Sequence, residues 1–300
     1  MPRVIDCADE EIAGLAECTE ALLARGFDPA EEDSLAHAAQ QLRRLGNDRT
    51  FLGDMILAEL AERHREEPVE QSYGPQVIML SRPGEGDFFL RANLWPSPYE
   101  HMMRASGGTT FVYGLPHDHN FSFLTLGYFG PGYWSDYYEY DYEAVTGWRG
   151  EPVDLRFVGR SRLEEGKLML YRAHRDVHRQ LPADALSVSL NVMHTSGAQG
   201  WLDQYRFDLE ERKVGAILGH GASEAFIRIA VGLGGEEARD LAERFGQAHP
   251  SDRMRLAAWD ALASVETEEA GRDAVWRRAE LAGSRLVTAE AGLRRATLTA

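Results

Sequence analysis

Cysteine is scarce in this chain: there are two, Cys7 and Cys18, both near the start. A disulfide scaffold is therefore excluded as the source of stability, and a reducing cytoplasm is the expected location. Hydrophobic runs are short as well. No uncharged apolar stretch approaches the ~18 residues that cross a bilayer, so no membrane partner is expected. The opening MPRVIDCADEE turns acidic too early for a secretion signal. Positive charge is also in deficit, with 32 Lys and Arg against 48 Asp and Glu, a net charge of −16. Such a surface repels a polyanion, which excludes nonspecific nucleic-acid binding.

What is present is ample for a core. The 300 residues are 44% hydrophobic and 27% charged, ordinary for a globular protein of one large domain with appendages or of two domains. Three textures follow one another. Residues 1–70 are rich in Ala, Leu, Glu and Arg. Ile12, Leu15, Ala16, Leu22 and Leu23 follow helical spacing up to Gly26, and further helices are expected over 33–45 and from 51 to about 65. Residues 71–217 turn to aromatic and β-branched residues with Gly and Pro. Strands are expected over 76–81, 87–94, 109–114, 121–127, 133–142, 152–158, 167–172 and 185–193. Short strands without intervening helices imply a mainly β sandwich or barrel. Gly130-Pro131-Gly132 lacks the following helix and lysine of a phosphate loop, and reads as a β-turn. Residues 218–300 return to helix, over 223–232, 236–246, 251–264 and 268–282, with Ser251 as a cap. They form either a helical cap on the β region or a surface for a protein partner or self-association.

The chemistry concentrates at Pro116-His117-Asp118-His119. Residues two apart on a strand share a face, so both imidazoles can address one point, and neutral imidazole binds Fe, Zn, Cu, Ni or Mn. A third ligand must come from elsewhere. The segment from Tyr171 to His178 supplies His174 and His178, and its residues alone leave that choice open. His101 and His194 lie near expected strand ends, while His37, His64, His220 and His249 lie in or beside helices and read as surface residues. Arg91 and Asn93 share a strand face, as do Ser187, Ser189 and Asn191; each face lines either solvent or an interior.

These motifs resemble those of the cupin superfamily over roughly residues 76–195. His117, His119 and Gly130 fall at the places of the first cupin motif, with Phe123 where its glutamate stands. Gly166, the strand 167–171 and His178 resemble the second motif, with Arg172 in place of a proline and the histidine one residue late. The resemblance implies a double-stranded β-helix barrel, flanked by the helical regions, with one metal held by His117, His119 and His178. Without the usual glutamate, the site is either three-histidine, similar to the thiol dioxygenases, or completed by another carboxylate. Glu139, among Tyr137, Tyr138 and Tyr140, is the candidate; a buried ion pair with an arginine would equally offset its desolvation.

The resulting expectation is a mononuclear non-haem iron oxygenase acting on a small organic molecule. Fe(II) is taken from the three-histidine cupins, and the ligand types leave Zn, Mn, Ni and Cu open. Arg91 or Arg172 would orient an anionic substrate through its forked guanidinium, and Tyr171 would complete the catalytic group. A metal-dependent isomerase, lyase or hydrolase, or a non-enzymatic metal-binding or small-molecule-binding cupin, would use the same barrel.

Overall fold

The computed structural model describes residues 1–63, 76–219 and 221–298; His64, His220 and the boundary expected at residues 70–71 lie outside the described residues. Contacts divide the chain into two compact units. One comprises Met1–Asp141 with Asp154–Gln199, the other Tyr142–Val153 with Gly200–Ala300. Among the described residues no helix is long and apolar enough to cross a membrane.

The first unit contains strand β1 (Arg3–Val4) and helices α1 (Leu15–Arg25), α2 (Glu32–Asn47) and α3 (Phe51–Arg63). After these come β2 (Val77–Met79), β3 (Phe88–Trp95), the short helix α4 (His101–Ser106), β4 (Phe123–Phe129) and β5 (Tyr133–Glu139). It is completed by β6 (Arg156–Leu163), β7 (Leu168–Tyr171), β8 (Asp176–Gln180) and β9 (Ser187–His194). One sheet has the order β1-β7-β4-β9-β3-β2 and a second β6-β5-β8.

Period-two alternation assigns the two faces of the larger sheet. Leu90, Ala92, Leu124, Leu126, Leu170, Leu190 and Val192 pack with Leu22, Leu35, Leu42 and Leu45 of the helices. Each such leucine contributes roughly 1.5–3 kcal/mol when fully buried. The alternate residues Trp95, Phe123, Met169, Tyr171 and Met193 turn the other way and pack with Tyr133, Tyr137 and Leu163 of the smaller sheet. The site lies in this second layer.

Two β-sheets with flanking helices are therefore present, but no closed barrel forms among the described residues. The outer strand β6 shows why. It is largely exposed and carries Arg156, Arg160 and Arg162, charges that keep an edge strand from pairing further. Residues 109–114, expected as a strand, instead hold a 3₁₀ turn over Gly108–Phe111 with Val112 left-handed at φ 59°. There Phe111 and Tyr113 fill the interior. β6 begins four residues later than the strand expected at 152, and β8 was not expected at all.

The second unit contains the hairpin β10 (Gln204–Asp208) and β11 (Lys213–Leu218) followed by five helices. These are α5 (Ala222–Leu233), α6 (Glu236–Ala248), α7 (Asp252–Ser264), α8 (Glu269–Glu280) and α9 (Arg285–Leu298). Ser251 caps α7 by accepting the Met254 N–H, as its side chain suggested. The helices share a core around Trp259, Trp276 and Val231. The hairpin and α9 had no counterpart in the sequence expectations.

Candidate metal centre

The segment before β4 is held against β8 as a short antiparallel neighbour. Gly114 N–H donates to Gln180 O at 2.9 Å, and His117 and His178 exchange both backbone hydrogen bonds at 3.1 and 2.9 Å. His174 N–H donates to His119 O at 2.8 Å. Direct pairing sets the His117 and His178 side chains on one face, and His119, two residues on, joins them. The expected period-two argument thus holds although residues 117–119 are joined by an isolated bridge and not a full strand.

The three rings converge through Nε2. His119 Nε2 lies 3.0 Å from His178 Nε2, which lies 3.3 Å from His117 Nε2. An ion about 2.0–2.1 Å from each of two nitrogens, at octahedral to tetrahedral angles, would separate them by about 2.8–3.4 Å. The observed separations fall within that span. The His117 Nδ1–H donates to Leu115 O at 2.9 Å, fixing the tautomer that leaves Nε2 bare. Among the described residues these histidines form the one group of three or more His, Cys, Asp or Glu that could hold a metal ion.

Electrostatics favour the ligating form. Burial drives His178 well below the ordinary imidazole range, helped by His117. The surrounding protein does the same to His119, reinforced by His117, His178 and Arg91. Burial lowers His117 too, with its bond to Leu115 opposing. All three are neutral at pH 7. Because their folded pKa values lie below the unfolded value near ~6.5, only the unfolded chain takes up these protons as the pH first falls below it. Metal-free protein is therefore expected to lose stability from about pH 6.5 downward, by up to ~1.4 kcal/mol per pH unit for each histidine kept neutral. Denaturation midpoints at pH 7.5 and 5.5 measure this; equal midpoints would contradict the neutral cluster.

Other expected residues sit as follows. His174, left-handed at φ 57°, is outside the three-histidine group. Glu139 is not brought to the histidines either. It binds the Met1 amine at 2.8 Å, Arg156 at 2.7 Å and Arg172 at 3.0 Å. Burial alone would raise this carboxyl, but the amine and Arg172 outweigh it and hold it at about 2. The ion-pair alternative is the one observed. Arg172 is committed as well: its guanidinium grips Asp176 at 2.6 and 2.9 Å, which argues against a role in holding substrate. Asp176 itself opens β8 and is buried.

Arg91 does face the interior, in register with Asn191, and its charge acts on His119. Asn93, Ser189 and Asn191 share that side and are buried. Tyr171 is buried beside the cluster, its ring 5.0 Å from that of His178 and stacked on Phe123 at 4.5 Å. Its hydroxyl shares a hydrogen bond of 2.9 Å with that of Tyr137. Burial pushes the Tyr171 hydroxyl well above the ordinary phenol range, so it stays protonated. Tyr137, directly opposite His178, was missed as a site neighbour, although its alternation with Ser135 and Tyr133 could have shown it. Asp118 is buried and accepts from the Tyr140 hydroxyl at 2.6 Å. His101 is exposed at the start of α4 and His194 ends β9. His37 Nε2 meets Ala21 O in the helical layer, and His249 Nδ1 accepts the Ser251 N–H beside α7.

The chain matches no protein-family model and no curated protein. Among solved structures it is similar to one described as crystal structures of DMSP lyases, at 12% identity over 65% of this chain and 79% of that one, with a TM-score of 0.25. It is also similar to vicilin from hazelnut (Corylus avellana), at 12% identity over 46% of this chain and 35% of that one, with a TM-score of 0.21. Likenesses this slight carry no function across, so the functional reading rests on the geometry of the three histidines and their surroundings.

Proposed function

We propose that this chain is a mononuclear metal enzyme with a cupin-type interior, in which His117, His119 and His178 hold one divalent ion, Fe(II) by preference. The observation that carries the reading is the convergence of three neutral imidazole nitrogens, at 3.0 and 3.3 Å, within a protein-lined interior. An ion with only three protein ligands keeps positions open and supplies Lewis acidity or oxygen activation there. The chain's own residues supply the rest. Phe121, Phe123 and Tyr171 surround His119 with aromatic rings, which exclude bulk water. Arg91 contributes a positive charge on the same side, suited to an anionic group on the substrate. The protonated Tyr171 hydroxyl shares its hydrogen bond with Tyr137 beside the reacting end. The reaction proposed is oxygenation of a small anionic organic molecule.

A second reading, a zinc lyase or hydrolase, is favoured by the same donor set, because three histidines and no carboxylate also suit a catalytic zinc. Elemental analysis of protein purified without chelators separates the two. About one iron per chain, with oxygen uptake on addition of substrate, is the expected result. Zinc with turnover under argon would move the assignment to the second reading. No ion retained after loading with either metal would reject both.

A further inference from the structure

Between the histidines and the far end of the sheet pair lies a layer with another composition. The histidine end is aromatic, with Phe123 directly opposite Tyr171. The far end is aromatic too, closed by Trp95 and Tyr133 with ring centroids 4.1 Å apart. The rows between them carry polar side chains alongside Met169. Register places Thr125 beside Asn191 and Arg91 in one row, and Asn93 beside Ser189 in the next. On the smaller sheet Ser135 stands opposite Gln180, two pairs beyond Tyr137 and His178.

These side chains are deeply buried: Ser135 is 0%, Thr125 1%, Gln180 5% and Asn93 8% exposed. Yet Asn93 Oδ1, Thr125 Oγ1 and Gln180 Oε1 find no hydrogen-bond partner among the described residues, whereas Ser135 bonds to the Tyr137 hydroxyl and the other end of the Gln180 amide serves the Tyr133 hydroxyl. A buried polar atom left alone costs about 1–3 kcal/mol, and native proteins rarely leave several together. Neighbouring Ser189 shows the ordinary arrangement, accepting from Trp95 Nε1 at 3.0 Å. Three such atoms, contributed by both facing sheets, call for an occupant that supplies hydrogen bonds in several directions. The two amide oxygens need donors; the Thr125 hydroxyl both gives and accepts. Aliphatic hydroxyl groups meet both requirements, whereas a hydrocarbon meets neither and a thioether offers only a weak acceptor.

We propose that this belt is the polar subsite for the substrate, and that it takes a small hydroxylated acid, with the hydroxyls in the belt and the acid group toward the histidines and Arg91. The inference deepens the proposed enzyme reading and depends on it only for the reacting end. Thr125 and Asn93 then determine specificity and hold no metal.

The test is calorimetric titration of metal-loaded full-length protein with paired probes: glycerate against propionate, threonate against butyrate, gluconate against hexanoate. At least one hydroxylated probe is expected to bind about ten-fold or more tighter than its deoxy partner. In Thr125→Val, nearly equal in shape, that preference is expected to shrink toward one with metal content unchanged; Thr125→Ser, which keeps the hydroxyl, restores it. Absence of any preference in the unmodified protein, including no binding by either series, means that the belt holds only water and overturns the proposal. So does a preference that survives both Thr125→Val and Asn93→Leu. Metal analysis of the same samples keeps the two ideas apart. A preference in protein that retains no metal leaves the belt and removes the metal enzyme. Retained metal without a preference does the reverse.

Discussion

Replacing His178 with alanine is expected to strip the protein of its metal under dialysis, lowering affinity by well over 100-fold, while His174→Asn keeps it within about ten-fold. The two histidines are four residues apart, but the backbone separates their roles. His178 exchanges two hydrogen bonds with His117, so its imidazole is delivered to the HxH pair by the pairing itself. His174 touches that segment through its backbone N–H to His119 O, which asparagine retains. Asparagine suits its left-handed φ of 57° better than alanine does, so the variant tests the side chain without adding backbone strain. Metal per chain, measured by mass spectrometry after dialysis, decides the ranking. Loss in His174→Asn with retention in His178→Ala would dismantle the proposed centre and leave both sheets as described.

The largest stability effect expected from one methyl group is at Gly132. The turn Gly130-Pro131-Gly132 carries the chain from β4 in one sheet to β5 in the other. Gly132 is left-handed at φ +76°, and an added Cβ would lie 1.9 Å from Leu163 O and 2.7 Å from its carbonyl carbon. Both are backbone atoms at the end of β6 and cannot swing aside. Left-handed strain of about 1–2 kcal/mol adds to the cost of pushing β6 away. Gly132→Ala is therefore expected to cost roughly 4 kcal/mol or more, a fall in melting temperature on the order of 10 °C, or to yield no folded protein. Gly84→Ala is the control, because φ there is also positive, at +95°, but nothing lies within 4 Å. It should cost only the backbone part. Similar melting temperatures for the two variants would show that the close approach at Gly132 relaxes freely.

The HxH pair was legible because period two depends on extended backbone alone. It needs no long strand, and residues 117–119 indeed have none. β8 was hidden by its charges. Asp176 and Arg179 look like turn residues, but they are neutralised by Arg172 and Asp136, the latter in a neighbouring strand. Glu139 shows a different limit. Its need for a partner could be read from its aromatic neighbours, whereas the choice between a metal and Arg172, thirty-three residues away in sequence, is made by tertiary structure. Residues 109–114 have every mark of a strand, yet Phe111 and Tyr113 reach the interior from a tight turn. Arg91 and Asn93 could be assigned to one face, but that this face meets a second sheet depends on contacts far apart in sequence. The helices were easier, because their amphipathic spacing is local; α9 and the hairpin before α5 were nonetheless overlooked.

The pairing of residues 114–119 with β8 also bears on the topology of the chain. His117 and His178 are 61 positions apart, so an ion shared between them ties off a loop of that length. Because the histidines converge only in the folded chain, such an ion would stabilise it by linkage, about 2.7 kcal/mol at 100 times its Kd, and not by restricting the unfolded chain. In a protein whose only cysteines are Cys7 and Cys18, with no disulfide, such an ion would be the nearest counterpart of a covalent staple. Unlike a disulfide, it can be fastened or released by chelation and pH, with no electron transferred.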